Sequence, residues 1–283
     1  MIYRELTLSE INPRLPAPQT PCRVYACLQT PSESIGPAQD KSRPAVIVVP
    51  GGSYFFTSDR EADPVACQFL AAGYHVFTLR YSVEPDRYPM SLLQLAALIA
   101  HIRENAAQYH VRPDAIAVCG FSAGGHLSAS SGILWNEPVI AETLGIENRM
   151  ARPDAMILSY PVITAGEYAH RGSFECLLGE RANDEAWLDR LSLERRVDGT
   201  TPPTFLWHTF ADELVPVENS LLLAAALRRA DVPFELHIFP DGIHGLSLAN
   251  ELTQSDGRAD QIVPAAAQWM GLCLVWLKGV FGA

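Results

Sequence analysis

The sequence predicts an α/β fold, a mostly parallel central sheet with helices on both faces. Three observations carry this. Short apolar runs alternate with helical segments along most of the chain, the order that successive βαβ units require. Several runs are apolar at consecutive positions, as in Ala45-Val46-Ile47-Val48-Val49, which is how a strand covered on both faces reads. One run, Ala115-Ile116-Ala117-Val118-Cys119, turns through Gly120-Phe121-Ser122-Ala123-Gly124-Gly125-His126 into a small-residue segment that continues as a helix.

The elements follow in order. Residues 1–43 are rich in proline and polar residues and form a lead-in with one outer strand, Arg23–Leu28. After the β-branched run and its Pro50-Gly51-Gly52-Ser53-Tyr54 turn, a helix is expected over 64–72, stopped by Gly73. A strand over 75–81 and a long helix over 90–108 come next, and Arg112-Pro113-Asp114 leads into the strand before Ser122. A looser stretch, 137–152, precedes a strand over 155–160. The longest connection, about 163–201, is polar with short helical pieces such as 184–191, and is placed to cover a site above the sheet. Strand 204–208, helix 217–230, strand 234–239 and a closing helix over 264–277 complete the chain. No composition break divides it, so 283 residues are expected to form one domain, 1–283.

Composition narrows the function. A hydrophobic content of 48% and a charged content of 19% fit a compact globular protein. The net charge of −11 argues against a nucleic-acid partner, which needs a basic surface. The six cysteines include no C-x-x-C pair and no zinc-ligand spacing, so buried thiols are expected rather than a disulfide frame or a metal site. Neither a basic-then-apolar leader nor a membrane-spanning run is visible, and a cytoplasmic location without a membrane partner is the expectation. A homo-oligomer is compatible with the sequence.

The chemistry starts at Gly120-Phe121-Ser122-Ala123-Gly124, the G-x-S-x-G pattern of a nucleophile elbow. There a serine sits on a strained strand-to-helix turn with its hydroxyl above the sheet. The residues two before and two after it come together, so both must be small. A serine hydroxyl needs a base, and the base a carboxylate. Where this elbow occurs the chain order is Ser, then acid, then His, which removes His75, His101 and His110. His126, a turn after Ser122, should point away. His208 and His237 lie within strands and read as core histidines, and His170 lies in the long polar connection. His244, in the loop Pro240-Asp241-Gly242-Ile243-His244-Gly245 beyond the last strand, stands where sites of open α/β sheets gather. Asp212 is the expected acid, because a tight strand-end loop suits a short side chain, with Glu213 as the alternative. The oxyanion of a tetrahedral intermediate needs N–H donors, assigned to Ala123 after the nucleophile and to Gly52 and Ser53 in the glycine turn.

Together with Arg80-Tyr81-Ser82-Val83, Pro202 through Thr209, Val215 through Ser220 and His237 through Leu246, these segments resemble esterases of the α/β-hydrolase superfamily. The likeness is to the hormone-sensitive-lipase-like and acetyl-esterase branch, which includes bacterial acetylxylan esterases, and it runs from about residue 43 to the C-terminus. Two departures stand out. Pro50 begins the glycine loop in place of His and Ser53 replaces its third glycine. Phe210-Ala211 precedes Asp212 where the branch has a small residue and a second Asp.

The resemblance implies an α/β-hydrolase fold and a cofactor-free serine carboxylesterase acting on a small-molecule ester. Short acyl groups, acetyl on carbohydrates such as xylo-oligosaccharides above all, are the expected substrates. Tyr54-Phe55-Phe56 is expected to close the floor of the acyl pocket. Tyr54, Tyr81 and Trp207 are assigned to substrate contact, with Arg80 beside them at the mouth. The alternatives are an oligopeptidase-type serine peptidase, for whose usual extra domain the chain has no room, and a catalytically dead hydrolase fold serving as a small-ligand receptor.

Overall fold

The computed structural model describes residues 1–31 and 42–282, so part of the expected lead-in, residues 32–41, lies outside the described residues. Among the described residues, eight strands form one sheet: β1 (Ile2–Leu6), β2 (Arg23–Leu28), β3 (Arg43–Val49), β4 (His75–Arg80), β5 (Val111–Phe121), β6 (Ala155–Ser159), β7 (Thr204–Thr209) and β8 (Phe234–Phe239). Their order is β1-β2-β4-β3-β5-β6-β7-β8. The pairs from β4 through β8 are parallel, and β2 pairs antiparallel with both β1 and β4. The helices are α1 (Leu8–Ile11), α2 (Asp63–Ala71), α3 (Met90–Glu104), α4 (Ala106–Tyr109), α5 (Ala123–Ile133), α6 (Pro138–Leu144), α7 (Arg171–Leu178), α8 (Glu185–Arg190), α9 (Glu218–Arg229) and α10 (Trp269–Phe281).

The period-2 geometry of a strand explains the continuous apolar runs. In β3, Ala45, Ile47 and Val49 enter one core and Val46 and Val48 the other; in β5, Ile116 and Val118 oppose Ala117, Cys119 and Phe121. Helices α3, α5 and α9 cover the first face, and α2 and α10 the second. Helix α5 is buried along its whole length. The carboxyl ends of β3, β5, β6 and β7 and the loop after β8 therefore open on one rim, where ligands of open α/β sheets bind.

The structure corrects several boundaries. Strand β1 was not expected. Its first four residues are exposed, so no apolar alternation marks it, and pairing with β2 alone creates it. The helix expected over 90–108 is broken at Asn105, whose side-chain amide donates to His101 O at 2.8 Å and caps α3. The stretch 137–152 holds α6 and a 3-10 turn, Asn148–Ala151. The closing helix starts at Trp269 and runs on to Phe281. The connection 163–201 also contains α7 and is anchored by buried Phe174, Leu177, Leu191 and Leu193. The cysteines are free thiols; Cys119 and Cys273 are buried, whereas Cys67 is exposed, contrary to expectation. Among the described residues no helix is long and apolar enough to cross a membrane.

Candidate active site

Strand β5 delivers Ser122 to the rim, and α5 begins at the next residue. Ser122 has φ 52° and ψ −119°, a conformation that costs a non-glycine residue roughly 1–3 kcal/mol and needs support around it. That support is a set of backbone bonds: Ser122 N–H donates to Ser159 O at 3.0 Å, and the Val162 and His126 N–H groups both donate to Ser122 O at 3.1 Å. The turn is possible only because Gly120 and Gly124 meet face to face. A Cβ on Gly120 would lie 2.2 Å from Gly124 O, and one on Gly124 would lie 2.2 Å from Val49 O.

Three of the side chains singled out in the sequence form one hydrogen-bonded series. Ser122 Oγ is 2.8 Å from His244 Nε2, and His244 Nδ1 is 2.6 Å from Asp212 Oδ2. A carboxylate only accepts, so Nδ1 carries the ring proton and Nε2 is free to accept from the serine. Asp212 stands in the turn after β7, where its Oδ1 accepts the N–H groups of Leu214 at 3.0 Å and Val215 at 2.9 Å. This is the short reach that separates Asp212 from Glu213, which is exposed. Burial pushes the Asp212 pKa up. The hydrogen bonds from His208 and His244, the His244 charge and the Val215 N–H outweigh burial and hold it below the usual carboxylate range.

The other histidines occupy structural positions. His208 is fully buried, with Nδ1 2.8 Å from Ser220 Oγ and Nε2 2.9 Å from Val215 O, and it also approaches Asp212 Oδ2 at 3.3 Å. His237 pairs with Glu235 and His170 with Ser173. His126 does point away from Ser122. Its Nε2 bonds Leu191 O at 3.1 Å, which leaves Nδ1 to accept from Tyr54 Oη at 2.8 Å. Burial pushes its pKa down to about 4, so the ring stays neutral.

The turn after β3 faces the serine. Gly52 has φ 130°, and Ser53 and Tyr54 have φ 58° and 60°. Gly52 O accepts from the Phe55 and Phe56 N–H groups at 2.9 and 3.0 Å, which folds the loop back on itself. Among the described residues, no protein acceptor takes the N–H of Gly52, Ser53 or Ala123. Ala123 begins α5, and a helix N-terminus favours a negative group.

Residues 35–227 match the model of the BD-FAE family. The chain belongs to the BD-FAE family. It has the α/β-hydrolase fold, as the resemblance implied, and proteins similar to it include named esterases and carboxylesterases. This BD-FAE member is 38% identical over 221 residues to Endo-1,4-beta-xylanase B of Butyrivibrio fibrisolvens, covering 75% of this chain and 34% of the relative. A solved acetyl ester-xyloside bifunctional hydrolase from Caldicellulosiruptor lactoaceticus superposes with a TM-score of 0.77 at 36% identity, over 93% of this chain and 89% of that one. A carboxylesterase from Lactobacillus plantarum WCFS1 superposes with a TM-score of 0.83 at 30% identity, over 99% and 98%. The chain spans between 34% and 56% of the length of five curated relatives that it matches.

The substrate contacts expected for this BD-FAE member are corrected by burial. Trp207 is 0% exposed: it lies in β7 between two strands, stacks on Trp269 at 5.3 Å and donates Nε1–H to Ser159 Oγ at 2.7 Å. Tyr54 and Tyr81 are buried against each other with ring centroids 5.7 Å apart, beneath the rim rather than on it. Arg80 is paired with Asp59 at 2.8 Å. Phe55 and Phe56 are exposed and close no pocket floor. Sequence reasoning also missed Glu61 and Tyr160. Neither belongs to a motif, and both are brought to the site by contacts between distant parts of the chain.

Proposed function

We propose that the chain is a serine carboxylesterase that removes short acyl groups, with acetyl groups on carbohydrates such as xylo-oligosaccharides as the preferred class. The observation that carries this is the unbroken series Asp212–His244–Ser122 on a strained elbow serine. Ser122 Oγ attacks the ester carbonyl while His244 Nε2 takes its proton. The oxyanion receives the Ala123, Gly52 and Ser53 N–H groups. His244 then gives the proton to the leaving alcohol, and Asp212 keeps the imidazole in the required tautomer and stabilises its charge. Water activated by His244 cleaves the acyl-enzyme by the same route.

Two further observations support the substrate class. The bifunctional hydrolase of Caldicellulosiruptor lactoaceticus carries acetyl ester and xyloside in its name. The connection 163–201 presents no large exposed apolar side chain, so it offers nothing for a lipid surface to hold. The peptidase and receptor alternatives have no such support. The test is an ester panel in which acetylated xylo-oligosaccharides are set against long-chain acyl esters and peptides. Release of acetate with the highest kcat/KM is expected, and preference for either competitor would reject the proposal.

A further inference from the structure

Glu61 is a carboxylate with 4% exposure, at the end of the 3-10 turn Asp59–Glu61, and the proposed reaction gives it no role. Its Oε2 accepts the Gly51 N–H at 2.8 Å and its Oε1 accepts the Tyr160 hydroxyl at 2.6 Å. Gly51 immediately precedes Gly52 and Ser53, whose amides the proposed reaction assigns to the oxyanion. Its own position is set within the site, since a Cβ built there would lie 2.9 Å from both Glu61 Oε2 and Ser122 Cβ. The Tyr160 and His244 rings pack edge to face, centroids 5.1 Å apart. Its oxygen also accepts the Ser247 N–H at 2.9 Å, three residues beyond the histidine.

The preceding residue, Arg60, holds the segment that carries the histidine. Its guanidinium donates to Gly245 O at 2.8 Å and to Thr253 O, and its carbonyl accepts from Ser247 Oγ at 2.6 Å. The Ser58 N–H closes the turn back onto Gly51 O at 2.9 Å. Every one of these bonds ends on the oxyanion loop, on the histidine loop, or on the tyrosine between them. Ser53, Tyr54, Tyr160, Ser247 and Ala249 all have positive φ, so both loops hold conformations that need outside support.

We infer that Glu61, braced by Arg60, is a positioning residue that sets the oxyanion-loop amides and His244 at a fixed separation about Ser122. The inference rests on reading Ser122 as nucleophile and His244 as base. Its consequence is specific. Donors displaced by a fraction of an ångström bind an ester nearly as well but stabilise the tetrahedral oxyanion less, so the loss falls on kcat and spares KM. Burial, followed by the Glu61 charge, pushes the Tyr160 pKa up, so the phenol keeps its proton and remains the donor.

The experiment compares the wild type, Glu61→Gln and Tyr160→Phe in two readouts, per folded molecule measured by circular dichroism. One is the rate constant for fluorophosphonate labelling of Ser122; the other is kcat and KM on p-nitrophenyl acetate. Glutamine keeps the size but turns an NH2 group toward one of the two donors. Glu61→Gln is expected to slow labelling and kcat by roughly 10- to 100-fold with KM within about threefold of the wild type. Tyr160→Phe, which leaves the ring in place, is expected to slow both by about 3- to 10-fold. A folded Glu61→Gln with a lower Tm but labelling and kcat within about twofold of the wild type would show a purely structural residue and overturn the inference. If Glu61→Gln does not fold, unchanged labelling and kcat in Tyr160→Phe would overturn it instead. A wild type unlabelled at Ser122 would remove the proposed function itself, and the inference with it.

Discussion

Asp212 Oδ2 accepts a 2.6 Å hydrogen bond from His244 Nδ1 while Asp212 Oδ1 is held by the Leu214 and Val215 N–H groups. The two oxygens are thus committed to different partners. In Asp212→Asn the carbonyl stays with the two backbone donors, and the NH2 group faces His244. Nδ1 must then accept, the ring proton moves to Nε2, and the base toward Ser122 is lost. Loss of about 10⁴-fold in kcat is expected, the magnitude this tautomer reversal has in serine proteases. Glu213→Ala, which alters an exposed side chain, should leave kcat within about twofold. Steady-state kinetics on p-nitrophenyl acetate checks both.

A second prediction concerns acid stability. His126 is buried with its pKa pushed down to about 4, while the unfolded chain protonates it near its ordinary value of 6.5. The unfolded state therefore binds the extra proton as pH falls between those values. The stability contributed by the neutral ring is full above about 6.5 and lost as pH drops toward 4. The loss is on the order of 3 kcal/mol. His75 is pushed down to about 4 in the same way, and Asp212, held low, adds its own loss at still lower pH. Urea midpoints should fall from pH 7 to pH 4.5, and His126→Gln, whose amide can bond both Tyr54 and Leu191, should flatten the curve. An identical slope in the variant would contradict the assignment.

A third prediction follows from close approach. A methyl group on Gly124 would lie 2.2 Å from Val49 O and 2.4 Å from Pro50 O, backbone atoms of the strand that carries the oxyanion loop. Gly124→Ala should cost roughly 1–3 kcal/mol or more of stability and push that loop from Ser122. Thermal unfolding and kcat measured together should both fall.

The elbow and its partners were legible in the sequence because each depends on local chemistry. Gly120 and Gly124 are required by one turn, Asp212 by a strand-end loop, and His244 by its place after the last strand. Trp207, Tyr54 and Tyr81 were misassigned because an aromatic residue near the end of a strand, or in the loop after it, reads the same whether it lies on the rim or under it. Trp269, from the other end of the chain, is what covers Trp207. Glu61 and Tyr160 were invisible for a related reason: they are 99 residues apart, and only the packed sheet brings them together. Strand β1 lacked any signal because its outer residues face solvent.

A fourth prediction concerns acyl length. The proposed preference for short acyl groups requires each methylene beyond acetyl to bring a clash rather than the usual gain of about 0.8 kcal/mol. On p-nitrophenyl esters kcat/KM should be highest for acetate and fall steeply by hexanoate. A maximum at octanoate or longer would point to a lipase-like pocket.

The central claim is that Ser122 becomes acylated, and trapping the acyl-enzyme tests it most directly. The wild type and Ser122→Ala are mixed with excess p-nitrophenyl acetate, quenched in acid, and digested for peptide mass analysis. The account predicts one added acetyl group on Ser122 in the wild type and none in the variant, with kcat of the folded variant lower by about a million-fold. A folded Ser122→Ala that retains even a tenth of wild-type turnover, or an acetyl group found on another residue, would contradict it.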